Sequence, residues 1–458
     1  MADVLRLATE SQGTTVDLLA GTFILEPGSW RTRTPAMNNQ YSYKDPMNPV
    51  QNFKNYQIVV ETMTLVAIDT PANIRSGLDA IADALEGIRK NHSEPFNESW
   101  WLEWNVDGET AKRTLLYEGS FYMPTMPGVN SMLSGGSDGN KVSKIVLSLS
   151  RHPLWEPTAS PASLFTGSTS TGGGTQTYTA VGGNAPARIS TTTITDLTVA
   201  GSLTEAWLGV RPIYDGHTNF EPVWDVDDGT VEDTDDTTFS GGAAEIDFAN
   251  DASLIKRFYV TVDDVCAHTD FDHQTGRYLV LARSYISGGG TAGIKVYSGY
   301  NDEIPHNEVF VDNSSYKYVP VGEIQIPGWS HYSAGYTASW CRLFQLSFYA
   351  ELITGSGTLY IEELVMIPSE RMLYLTDAVI GSGNIANVQT LEGGTLISAG
   401  TQPSPANVYE GPSIAARNWR LPVEGGVFVF AGQGASSHVA GETVTLAATY
   451  QSRWTSYR

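Results

Sequence analysis

The segment Lys141–Pro157 limits what this chain can fold into more than any other. Ile145, Leu147 and Leu149 alternate with Lys144, Val146, Ser148 and Ser150, a period of two that turns one mostly apolar face toward a core. The run stops at Arg151-His152-Pro153-Leu154-Trp155-Glu156-Pro157, where two prolines withhold ladder donors and hold a tryptophan between them. A Gly/Ser/Thr tract follows at once. A strand that closes on such a turn before a low-complexity tract marks the end of a domain, whose other elements lie in the residues before it.

They are there. Val4–Leu7, Thr15–Leu19 and Gly21–Leu25 read as short strands, and Tyr56–Ile68 as a longer one with a bulge near Met63. Between them, Glu26–Asn55 is rich in Pro, Asn, Tyr, Lys and Arg and has no periodicity. A patternless stretch of that length inside a compact domain points to a functional arm. Thr70-Pro71 opens the clearest helix, expected over 71–90, with Ile74, Leu78, Ile81, Leu85 and Ile88 on one face to pack on a sheet. Gly77 and Gly87 should weaken it slightly. Trp100–Val106 and Thr114–Glu118 pair across Asp107-Gly108. These elements make residues 1–157 one domain, with the arm at 26–55.

Residues 158–183 read as a flexible Gly/Ser/Thr linker. From 184 to 375 strand follows strand without a helix, as expected of a jelly-roll-like sandwich of two antiparallel sheets. Trp207, Tyr297 and Phe348 are expected in its core. Residues 376–458 carry short strands around Gly-rich turns and form either a third β module or a return that completes an earlier one. The fold class is therefore mainly β: a β-rich N-terminal domain with one helix, a jelly-roll-like sandwich and a C-terminal β segment.

The net charge of −23 repels DNA phosphates and anionic lipid, so nucleic-acid binding is not expected. No apolar run approaches the length of a membrane span, so membrane insertion is not expected either. The start, MADVLRLATESQG, has neither the basic nor the apolar stretch of a signal peptide, which implies synthesis in the cytoplasm. Cys266 and Cys341 are the only cysteines, as two buried thiols or one bridge.

Catalytic patterns fail on context. Gly135-Gly136-Ser137-Asp138-Gly139 spells a nucleophile elbow but lies between a loop and a strand, so it reads as a turn. Gly432-Gln433-Gly434 starts like a dinucleotide loop but has no helical pattern behind it. The span Glu221–Asp272 holds fifteen acidic residues against Lys256 and Arg257. Its order is not that of an EF-hand, so a solvated loop is expected, with Ca²⁺ at the acidic loops as the alternative. Cys266, His268, Asp270, Asp272 and His273 are metal-ligand types at no zinc-site spacing, so no metal and no cofactor are expected. Trp329, His331, Tyr332, Tyr336 and Trp340 crowd one polar loop, where aromatic faces would meet a sugar or a protein partner.

Thr14–Leu25, the arm, the helix Ile74–Arg89 and the strand-plus-turn Lys141–Pro157 together resemble the N-terminal domain of distal tail (Dit-like) proteins of long-tailed bacteriophages. Gly276–Arg283 and the Leu359–Ile367 strand before Met372–Leu375 are similar to the family as well. The resemblance implies a non-enzymatic structural virion protein at the tail tip of a siphophage, made in the host cytoplasm. It implies a ring, commonly a homohexamer, joining the tail tube protein to tail-tip hub or fibre proteins at the baseplate. The arm, with Trp30, Arg31, Arg33, Tyr41, Tyr43, Phe53 and Tyr56, would reach a neighbouring subunit. The outer β domain would contact accessory proteins or a host surface glycan. The alternative is a carbohydrate-binding protein or a module of a glycan-processing enzyme.

Overall fold

The computed structural model of the chain describes residues 4–19, 22–30, 37–42, 50–93, 98–106, 109–123, 141–170, 174–178, 181–183, 185–196, 203–212, 221–262, 276–326, 344–369, 372–380, 384–391, 394–401, 407–409, 420–421, 425–434 and 443–454. These are mainly β-strands, with one α-helix among the described residues. The chain divides into two compact units. Unit 1 is Met1–Ser160 with Gly182–Ala185 and Gln451–Arg458; unit 2 is Pro161–Val181 with Pro186–Tyr450.

In unit 1 the strands lie in the order β2 (Thr15–Asp17), β1 (Val4–Thr9), β7 (Trp100–Asn105), β8 (Lys112–Tyr122), β9 (Lys141–Arg151), β6 (Val59–Asp69) and β3 (Phe23–Leu25). A short β10 (Glu156–Pro157) also pairs with β8. On β9 the alternation read from the sequence is the alternation of burial, with Ile145, Leu147 and Leu149 inward; β6 alternates too, Val59, Glu61, Met63, Leu65 and Ala67 pointing inward while Val60, Thr62 and Ile68 are exposed. The bulge expected near Met63 is absent. The β6–β9 register runs unbroken from Val59 opposite Arg151 to Asp69 opposite Lys141.

The helix α1 (Pro71–Ser93) covers the inner face of this sheet. Ile74, Leu78, Ile81, Leu85 and Ile88 are all buried, in one cluster with Met63, Leu65, Leu147 and Leu149. Thr70 caps it: Oγ1 accepts from the Asn73 amide at 3.3 Å, and the Thr70 carbonyl accepts from Ile74 at 3.0 Å. Gly77 and Gly87, expected only to weaken the helix, are instead required by it. A Cβ on Gly77 would stand 2.5 Å from the Phe23 ring, and one on Gly87 2.5 Å from the Trp100 indole. Two aromatic rings lie directly on helix backbone, and only glycine leaves room for them.

Unit 2 carries a β-sandwich. One sheet orders Thr237–Ser240, Ala243–Ile246, Leu359–Pro368, Gly276–Ile286 and Lys317–Ile326, with Val223–Asp225 also on Leu359–Pro368. The other orders Thr230–Val231, Ile255–Thr261, Gln345–Thr354, Thr291–Gly299 and Ile304–Val311. Val260, Ile294, Leu346 and Phe348 from one sheet, and Val280, Ile361 and Val365 from the other, join one buried cluster. Trp207 and Phe348 are core, as expected. Tyr297 is not. It is only half-buried, its ring 4.7 Å from that of Tyr349 on the neighbouring strand.

The tract expected as a linker carries strands at Ala162–Ser170 and Gly174–Tyr178. Their partners come from the far end of the chain: Thr443–Arg453 pairs with the first and Gly426–Gly434 with the second. Gly426–Gly434 also pairs with Leu203–Pro212. Of the two alternatives for residues 376–458, these strands follow the return. The composition of the tract is that of a flexible chain, but a backbone ladder needs no apolar side chains when a partner strand is supplied.

Candidate assembly surface

The surface is built outward from Glu61. The period-two pattern of β6 turns this carboxylate inward beside Met63, where it is 0% exposed and needs a cation. The strand partner β9 supplies one. Arg151, at the end of β9 and also 0% exposed, donates Nε and Nη2 to Glu61 Oε1 at 2.9 and 2.7 Å. Its Nη1 donates to the carbonyls of His152 and Pro153 at 2.9 and 3.3 Å, and the guanidinium lies 4.9 Å from the Trp155 ring centroid. Burial pulls the Arg151 pKa below its usual value, and Glu61 opposes that shift. The Arg-x-Pro-x-Trp-Glu turn is thus held by its own first residue.

Glu61 has a second partner. Trp30 donates Nε1 to Glu61 Oε2 at 3.1 Å and sets its ring 4.7 Å from that of Trp104, tilted by 56°. This is where the arm leaves the sheet. Just before it, the Glu26 amide bonds the Thr64 carbonyl at 2.8 Å, Gly28 turns at φ +74°, and Ser29 Oγ meets the Thr64 backbone at 3.2 Å. The arm comes back as β4 (Met37–Ser42) and β5 (Val50–Tyr56), an antiparallel hairpin rather than a patternless stretch, and β5 ends three residues before β6 begins. Among the described residues the hairpin is a sheet of its own, without a partner strand in the chain.

Beside the root of the arm lies the outer face of β3, β6, β9 and β8. The register sets Val60 against Ser150 and Glu118, Thr62 against Ser148 and Ser120, and Thr64 against Val146 and Tyr122. Ile24 lies opposite Val66. The charged groups on it are Lys144, paired with Glu26, and the exposed Glu118. Ile24, Val60, Ile68 and Tyr122 on it are between 45% and 61% exposed. A grouped set of exposed aliphatic and aromatic side chains on one sheet face is the composition of a contact surface.

Of the arm residues expected at a contact, Trp30 is placed, and it serves as the anchor. Tyr41, Phe53 and Tyr56 lie on the hairpin strands. Arg31, Arg33 and Tyr43 fall outside the described residues, as do Trp329, His331, Tyr332, Tyr336 and Trp340. Cys266, Cys341, the His268–His273 run and the Gly135–Gly139 turn fall outside them too. Glu61 and Trp104 were not singled out in the sequence, although an acid on the inward register of an alternating strand is a readable signal for a buried ion pair.

The described part of the acidic span folds around a cation of its own. Arg257 is 0% exposed; it pairs with Asp233 and, at 3.5 Å, with Asp236, and donates to the carbonyls of Asp251 at 2.5 Å and Ala350 at 3.2 Å. Asp236 further accepts from the amides of Asn250 and Asp251 at 2.8 and 2.7 Å. Among the described residues no group of three or more His, Cys, Asp or Glu is arranged to hold a metal ion.

No family model matches the chain, and no curated protein does. Among solved structures, the SPP1 Dit protein, titled a paradigm of the hub adsorption apparatus in Gram-positive-infecting phages, aligns over 79% of this chain and 99% of its own. Identity is 10% and the TM-score 0.26. A structure of infectious bursal disease virus, Gt strain, aligns over 64% of this chain and 82% of its own, at 7% identity and a TM-score of 0.16. At TM-scores this low, neither likeness bears on what the chain does.

Proposed function

We propose that this chain is a structural virion protein that closes a ring at the distal end of a long-tailed phage tail, unit 1 forming the ring. The observation that carries the reading is the arm. A hairpin that pairs with no other strand among the described residues is rooted, through Trp30, on the Glu61–Arg151–Trp155 node beside a sheet face with exposed apolar side chains. Unpaired strand edges are templates for another chain, and an arm that reaches a second copy adds interface without needing a core of its own. Of the residues at the root, Trp30, Arg151 and Trp155 lie in segments on which the resemblance to distal tail proteins rests.

In this reading the ring is a homohexamer, its partners are the tail tube protein and the tip hub or fibre proteins, and its place is the virion tail tip. An anionic ring would not hold the DNA that passes through it. Unit 2 would supply accessory or host contacts, with Trp329, His331, Tyr332, Tyr336 and Trp340 as the contact residues, and no catalysis is assigned to it.

Deleting Gly28–Lys54 is the test. The expected result is a folded chain with native circular dichroism that stays monomeric by light scattering while the intact chain forms rings in negative stain. Rings of unchanged size from the deletion variant refute the arm. A glycan array probed with the intact protein and with Trp329→Ala/Trp340→Ala tests the sugar alternative.

A further inference from the structure

The turn that ends β9 is also met by a segment from the far end of the described chain, Gln451–Trp454. Trp155 and Trp454 form an antiparallel bridge, each amide donating to the other's carbonyl at 2.9 Å. The next residue in the turn, Glu156, is 2% exposed and lies between two guanidiniums, with Arg113 Nη2 at 3.5 Å and Arg453 Nε at 3.7 Å. Arg453 is itself 2% exposed. Gln451 donates Nε2 to the Ala159 carbonyl at 2.9 Å, and Lys112 Nζ sits 4.7 Å from the Trp454 ring centroid.

The other side of the segment is as close. Gly183 bridges Arg453 in parallel, at φ +109°, and a Cβ there would lie 2.2 Å from the Arg453 carbonyl oxygen. The segment 451–454 is thus a strand inserted between the turn and Gly183, not a tail lying on a surface. Without it the buried Glu156 loses one of its two described guanidiniums, and the Trp155 N–H and C=O lose the bonds they make to Trp454. Both losses are costly for buried groups.

We propose that Gln451–Trp454 is a strap that completes unit 1, so that unit 1 reaches its native state only after all of unit 2 has been made. The strap couples the two halves of the chain in time. A chain interrupted within unit 2 has the arm and the helix, but an open Arg151–Pro157 turn. Under the ring reading this withholds unfinished chains from assembly, but the strap itself does not depend on that reading.

Hydrogen exchange on unassembled protein tests it, comparing the intact chain with a chain ending at Tyr450 and with the full-length variants Trp454→Ala and Arg453→Met. In the truncated chain, the amides of His152, Trp155 and Thr158 should exchange at least 100-fold faster, and those of Gln345–Thr354 in unit 2 should be unchanged. The point variants should show the same pattern at about 10-fold. Unchanged protection in unit 1 in all three overturns the strap. Equal loss in both units also overturns it, because the segment would then hold the whole chain. Ring formation is measured separately by light scattering, so failure of the ring reading leaves this result standing.

Discussion

Arg151 in unit 1 and Arg257 in unit 2 are both 0% exposed, yet they are neutralised differently. Among the described residues Arg151 meets the Glu61 carboxylate, two carbonyls and the Trp155 ring, and Glu61 is equally buried and anchors Trp30 at the root of the arm. Arg257 faces Asp233, Asp236 and three carbonyls at the base of the acidic span, where Asp233 is partly exposed and Asp236 has amide donors besides. The first, among the described residues, is one ion pair that also holds the root of the arm. The second is a hub with spare partners. A buried charge is costly only if its loss strands another, and the two nodes differ in how many they would strand.

The largest effect should come from breaking the Arg151–Glu61 pair. Arg151→Met removes the buried cation that donates twice to Glu61 and should destabilise unit 1 by about 3–5 kcal/mol, read by urea unfolding followed through tryptophan fluorescence. Adding Glu61→Gln should recover part of that loss; if it recovers none, the damage lies in packing and the contrast with Arg257 dissolves.

Arg257→Met should cost less, about 2–3 kcal/mol, because the amides of Asn250 and Asp251 still satisfy Asp236. Chelator added to the native protein should leave its melting temperature unchanged, since Arg257 supplies the positive charge at the described part of the span. A drop of several degrees would put a bound cation there and remove the reason for the difference.

The units also differ in what covers their sheets, a helix in one and a second sheet in the other. Gly87→Ala isolates that. In a free helix alanine would gain about 1 kcal/mol, but here its Cβ meets the Trp100 indole, and a net loss of about 1–3 kcal/mol is expected. A stabilised variant would show that Trp100 can move aside.

The smallest effect is the acid limb. Burial works to raise the Asp236 pKa, but the amide and side-chain donors of Asn250 and the Asp251 amide outweigh it and hold the carboxyl below its ordinary value. A depressed carboxylate stabilises the fold above its unfolded pKa of about 4 and loses that contribution as pH falls through the lower folded value. Asp236→Asn should therefore flatten the decline in stability below about pH 4. At the alkaline end, Tyr349, pushed up to about 12 by burial and by its bond to Asp302, should ionise late in an ultraviolet titration.

Period and composition alone determined the mainly β class, the inward face of β9, and the stripe Ile74–Ile88 that buries α1. These are local consequences of a side-chain repeat meeting a single interior, and a sequence displays its own repeats. Three things were decided only in the folded chain. The linker-like tract became strands because partners arrived from beyond residue 425. Gly77 and Gly87 became necessary because Phe23 and Trp100 come to rest on them. The Arg151–Pro157 turn became a binding groove because Gln451–Trp454 lies in it. Each depends on which distant residues meet, and pairing across hundreds of residues leaves no periodic trace in the sequence of either partner.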